Sequence, residues 1–92
     1  MIAPYRTTPI FDETTLPEAL KREHRTKDGV WGVIRVLEGE LKFVLAESGS
    51  ETILTPARPG LVQPQQMHRV EPLSKLRMQI EFYDRDPAPS SR

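Results

Sequence analysis

No cysteine occurs in the 92-residue chain, which excludes both disulfides and thiolate metal ligands. Any metal would have to be held by imidazole and carboxylate, with water in the remaining positions. An excess of one charge is also missing, since 13 lysines and arginines balance 13 aspartates and glutamates. Without a net field to attract them, nucleic acid and anionic membranes are not expected partners. Long apolar runs are absent too: nothing approaches the roughly 20 residues that cross a bilayer. The opening MIAPYRTTPIFDETTLP lacks the uninterrupted apolar segment of a signal peptide, so the expected location is the cytoplasm. Histidine is scarce, with only His24 and His68.

What is present is punctuation. Nine prolines and five glycines are spread along the chain, as in short strands joined by turns. The length fits one domain, expected over residues 1–83, with a polar, proline-rich tail at 84–92 that is expected to fray. A chain of this size buries only about 60–65% of its unfolded surface, so self-association as a homodimer is expected.

The segment up to Pro17 reads as extended chain. PEALKREHRT (17–26) has the composition of a helix, but Leu20 and the preceding Leu16 are its only large apolar groups, and context favours a strand. VWGVIRVL and LKFVLA flank EGE and predict a hairpin closed at Gly39. ETILTP predicts a short strand, ARPGLVQP a corner and MHRVEP another strand. In KLRMQIEFY, Leu76, Met78, Ile80 and Phe82 alternate with polar residues, which predicts a strand with one buried face. About seven short strands in a chain this small point to an all-β sandwich or barrel.

Three places carry chemistry: His24 in REHRTKDG, His68 in QPQQMHRVEP and Glu81 in QIEFY. Each has a plain structural alternative, namely a hydrogen-bonded histidine or a solvated carboxylate. The run KREHR reads first as a solvated strand face.

VLEGELKF followed by PGLVQPQQMHRV resembles the two sequence blocks of the cupin superfamily, with Gly39 matching the first and Gly60, Pro64 and His68 the second. Over roughly residues 5–83, and most specifically at REHRTKDGVWGVIRVLEGEL, the chain resembles the small TehB/YeaR-like family, which includes the N-terminal domain of some tellurite-resistance methyltransferases. The resemblance implies a single-domain cupin, a double-stranded β-helix (jelly-roll) barrel. It also implies a divalent metal, either zinc or iron, nickel or manganese. The two blocks supply His24 and His68, and the carboxylate that would complete them is Glu81, if the polar face of the last strand turns inward, or alternatively Glu71. The chain departs from the cupin pattern in having one histidine in the first block, and in having Gly32 at the usual glutamate position.

No serine elbow, glycine-rich phosphate loop or close carboxylate pair marks a catalytic centre. Three readings stay open from the sequence. The first is a metal-binding module for a small molecule or oxyanion, linked by resemblance to tellurite or related stress. The others are a metal-dependent oxygenase-like enzyme and a metal-free interaction module.

Overall fold

The alternation of residues 76–83 is the organising feature of the fold. In the computed structural model, which describes residues 3–87, β8 (Arg77–Tyr83) lies centrally in an antiparallel sheet. Its even-numbered residues face the core, with Met78 fully buried and Ile80 8% exposed, while Leu76 just before the strand is 1% exposed. Burying a side chain of this size stabilises the fold by about 1.5–3 kcal/mol. On one side β8 pairs with β3 (Trp31–Glu38), in a register that sets Ile34 opposite Ile80 and Val36 opposite Met78. On its other side it pairs with β1 (Arg6–Thr7) and β2 (Phe11–Asp12). A three-residue strand, β6 (Gly60–Val62), closes the far edge against β3.

The second sheet runs β5 (Ser50–Leu54), β4 (Leu41–Leu45), β7 (His68–Pro72), again antiparallel. Leu41, Phe43, Leu54 and Val70 point from it towards Ile34, Val36, Val62, Met78 and Ile80 of the first sheet. The architecture is mostly β, with two facing antiparallel sheets, and the described strands do not close into a barrel.

Three expectations change here. The 30–47 segment is not a hairpin, because β3 and β4 pair with different strands in different sheets. Gly39 still makes the reversal, with φ +86°, but it carries the chain from one sheet to the other. The crossing is held by Glu40 N–H donating to Ser74 Oγ at 3.0 Å and Leu73 N–H donating to the Glu40 carbonyl at 3.1 Å. Within 17–26, helix composition prevails over context for one turn, α1 (Glu18–Lys21). Leu20 packs against the core, a Lys21–Glu18 contact of 3.3 Å spans the turn, and extended Arg22 ends it. ARPGLVQP, expected as a corner, contains β6.

Of the 84–92 tail, residues 84–87 are described, and Pro87 lies in a cleft beside Arg35 and Tyr83; residues 88–92 lie outside the described residues. Among the described residues no helix is long and apolar enough to cross a membrane.

Candidate functional site

Period-two patterning aims His68 inward. It begins β7 on the same side as Val70, and both are buried, at 4% and 2% exposed. The proline-framed turn before it, Gln63–Gln66, is fastened by Thr26. The Thr26 hydroxyl donates to the Gln63 carbonyl at 3.3 Å and accepts from Gln65 N–H at 3.2 Å. Gln66 N–H closes the turn on the Gln63 carbonyl, and Gln65 takes a positive φ of 60°.

The segment that carries Thr26 also carries the other histidine. Two backbone hydrogen bonds, each 2.7 Å, tie His24 to His68 in an antiparallel bridge. Their rings meet edge to face with centroids 5.6 Å apart, and Phe43 sits 5.9 Å from the His68 ring. His68 Nδ1 lies 2.9 Å from the Gln66 carbonyl oxygen. A carbonyl can only accept, so Nδ1 carries the hydrogen and Nε2 the lone pair. Burial pushes the His68 pKa below the ordinary value, opposed by the Gln66 carbonyl and reinforced by neighbouring His24.

His24, His68, Thr26, Gly32, Ile34 and Phe82 help to line a chamber of about 30 Å³ between the sheets, room for roughly one water molecule. His24 also lines a larger cleft of about 280 Å³ outside it, together with Tyr5, Arg6, Arg25, Thr26, Lys27, Val30 and Phe82. The Arg6 guanidinium lies over the Phe82 ring, 5.5 Å from its centroid. Among the described residues no carboxylate lines the cleft. Of KREHR, Arg22, Glu23 and Arg25 are exposed, as a solvated face would be, and only His24 and Arg25 line this cleft. The available signal is the set of cations Lys21, Arg22, Arg25 and Lys27 against Glu23 alone, within a chain of zero net charge.

The proposed carboxylates are elsewhere. Glu81 shares the parity of Tyr83 on β8, so it points away from the face that carries Ile80 and Phe82. Its Oε1 accepts from Arg35 Nε at 3.0 Å and from the Tyr83 hydroxyl at 2.9 Å. Burial, with Glu81 next in weight, pushes the Tyr83 pKa up, and the Glu81 contact raises that of Arg35. Glu71 faces outward from β7, 3.9 Å from both Lys42 and Arg69. The histidines therefore come together and neither carboxylate joins them. Among the described residues no group of three His, Asp or Glu side chains is placed to hold a metal ion.

The sequence profile of the TehB-like domain matches residues 6–80. A protein of Haemophilus influenzae (strain KW20/Rd) named "Probable S-adenosyl-L-methionine-dependent methyltransferase TehB" is 41% identical over 85 residues, covering 86% of this chain and 30% of that protein. Its counterpart in strain 10810 is 40% identical over the same length. The crystal structure of TehB from H. influenzae superposes with a TM-score of 0.78 at 40% identity, over 86% of this chain and 30% of that one. A protein from Escherichia coli K12 shares the fold, with a TM-score of 0.79 at 19% identity over 86% of each chain. The chain thus spans about 30% of the length of the curated relatives it matches.

These findings overturn the metal-binding cupin reading. The relatives are named for S-adenosyl-L-methionine-dependent methyl transfer, so the cofactor attached to them is that methyl donor and not zinc, iron, nickel or manganese. The described residues do not themselves fit the donor. The cleft beside His24 is lined by cations, which disfavour a sulfonium and an ammonium group. No step of methyl transfer is assigned to these residues. By its profile match and its identity to TehB, the chain belongs to the TehB-like domain family.

Proposed function

We propose that this chain is a small-molecule-handling β module that serves S-adenosyl-L-methionine-dependent methyl transfer, with its ligand at the open end of the two sheets beside His24. The observation that carries the reading is the 41% identity to a protein named as such a methyltransferase, confined to 30% of that protein's length. The remaining length of the relative is where the reading places donor binding. The cleft and chamber that meet at His24 supply the concave, part-apolar surface that ligand sites use. We take residues 1–83 as the functional domain, jelly-roll-like in that its chain alternates between facing sheets, and we place it in the cytoplasm.

The test is a chimera. The matched region of H. influenzae TehB is replaced by this chain, and transfer of labelled methyl from the donor is measured beside wild type and a deletion of the same region. The expected result is activity in the chimera above that of the deletion. A folded, donor-binding chimera no more active than the deletion overturns the reading. A homodimer belongs to the same proposal, supported by exposed Leu37, Ile53 and Leu73, each 39–44% accessible. Sedimentation as a strict monomer at tens of micromolar contradicts it.

A further inference from the structure

Three cations, Arg6, Arg25 and Lys27, surround one cleft of about 280 Å³, with His24 at its inner end. They come from separate places in the chain: Arg6 from β1 on the edge of β8, the others from the loop after α1. In a chain of zero net charge this is a local concentration of positive charge, and among the described residues no carboxylate lines the cleft to neutralise it. Among the described residues neither Arg25 nor Lys27 forms an ion pair within the chain, whereas six such pairs form elsewhere. Arg6 is oriented by the Phe82 ring beneath it. Guanidinium over an aromatic face leaves the edge N–H groups free to donate to an oxyanion.

Apart from these cations, His24 and Thr26, the wall is formed by Tyr5, Val30 and Phe82. Tyr5, 58% exposed, and Phe82 present ring surface to the same space. A site with cations on the rim and rings on the wall matches a ligand with an anionic head and a flat or aliphatic body. A cleft of about 280 Å³ suits a small organic molecule.

We infer that this cleft binds a small organic anion, its carboxylate or phosphate between Arg6, Arg25 and Lys27 and its apolar body against Tyr5 and Phe82. This deepens the reading above and rests on it for the place of the ligand. The two can fail separately, because the chimera measures methyl transfer and the following experiment measures binding to this chain alone.

The ¹⁵N-labelled full chain is titrated with phenyl phosphate, benzoate, inorganic phosphate and benzylamine while amide shifts are followed by NMR. Phenyl phosphate and benzoate are expected to shift Arg6, Arg25, Lys27 and Phe82 saturably, inorganic phosphate to bind more weakly, and benzylamine, similar in shape but opposite in charge, to leave these amides unmoved. An Arg25→Gln, Lys27→Gln double variant removes two exposed charges without touching the core. It is expected to weaken phenyl phosphate about fivefold, the product of two exposed ion pairs. Arg6→Gln is expected to weaken it as well. Shifts that fail to saturate at tens of millimolar, benzylamine acting on the same amides, or a folded double variant that binds like wild type each overturn the inference.

Discussion

Gly39 is the position where one methyl group tests the route by which the chain changes sheets. Its φ of +86° lies in the left-handed region, which costs a residue with a Cβ about 1–2 kcal/mol. A Cβ there would also collide with the Lys75 backbone carbonyl and stand 2.8 Å from Ser74 Oγ. Neither neighbour is free to retreat. Ser74 Oγ accepts the Glu40 N–H at 3.0 Å, and Lys75 precedes fully buried Leu76. Displacing them forfeits a hydrogen bond worth about 1 kcal/mol and adds backbone strain. The smaller unfolded-state entropy of alanine returns about 0.4–1 kcal/mol. With that strain at about 1 kcal/mol, Gly39→Ala is expected to lose about 3 kcal/mol of the roughly 5–15 that a domain possesses. Gly29 and Gly49 supply internal controls, with φ of +76° and +71° and nothing within 4 Å of the methyl that alanine would add. Their alanine variants carry only the backbone term, about 1 kcal/mol. Urea denaturation separates the cases, since about 2 kcal/mol moves the midpoint by about 1–2 M at the slopes of small proteins. A Gly39→Ala midpoint no lower than those of Gly29→Ala and Gly49→Ala refutes the reasoning.

The His68 pKa is lowered by burial, so its contribution to stability is complete above its ordinary value of 6.5 and is lost as pH falls towards the lowered folded value. Denaturation at pH 7.5 and 5.5 should show a larger drop in wild type than in His68→Gln, and equal drops contradict it. Glu81→Gln is expected to cost about 1 kcal/mol, through the Tyr83 hydroxyl and half-exposed Arg35, and to return the Tyr83 phenol towards its ordinary pKa in an ultraviolet titration. Glu71→Gln, at exposed pairs, should stay within about 0.5 kcal/mol of wild type, and the reverse ranking counts against the assignment of faces. The Asp12 carboxyl, held down to about 2 chiefly by the Thr14 hydroxyl and the amides of Thr14 and Thr15, contributes stability above 3.8 that is lost as pH falls through about 2. NMR titration should show that value rising in Thr14→Val, and an unchanged value contradicts the cause.

Where a segment carries its own period, its structure is legible in the sequence. Residues 76–83 alternate without a break, and β8 buries the expected face; the β-rich runs on either side of Gly39 both form strands. What the local pattern does not show is pairing. A positive-φ glycine between two apolar runs serves a hairpin and a crossover between sheets equally well, and the choice lies with residues far along the chain. Here Ser74 and Leu73, more than thirty positions on, receive the crossing. β6 escapes notice for a related reason: three residues between proline and glutamine are too few to show a period, and only the partners Gly32–Ile34 make them a strand.

The same distinction divides the site. His68 aims inward because parity with Val70 fixes it, and parity is written in the sequence. Placing Glu81 in the interior runs against its own parity, since Leu76, Met78, Ile80 and Phe82 already claim the inner face. A carboxylate on the opposite side of a continuous strand cannot reach the histidines unless a bulge shifts the phase between them, and the β3–β8 register slips only between Val36 and Glu38, far from Glu81. Its outward position instead gives Arg35 and Tyr83 a common acceptor on the other face. The basic cleft is hidden differently. Arg25 and Lys27 stand in view within a charged run, but Arg6 and Phe82 complete the cleft only once β1 lies along β8, with Arg6 opposite Phe82 in the register. Charge that looks like a solvated strand face becomes a site when a distant strand supplies the opposite wall, and pairing is what a single sequence leaves unwritten.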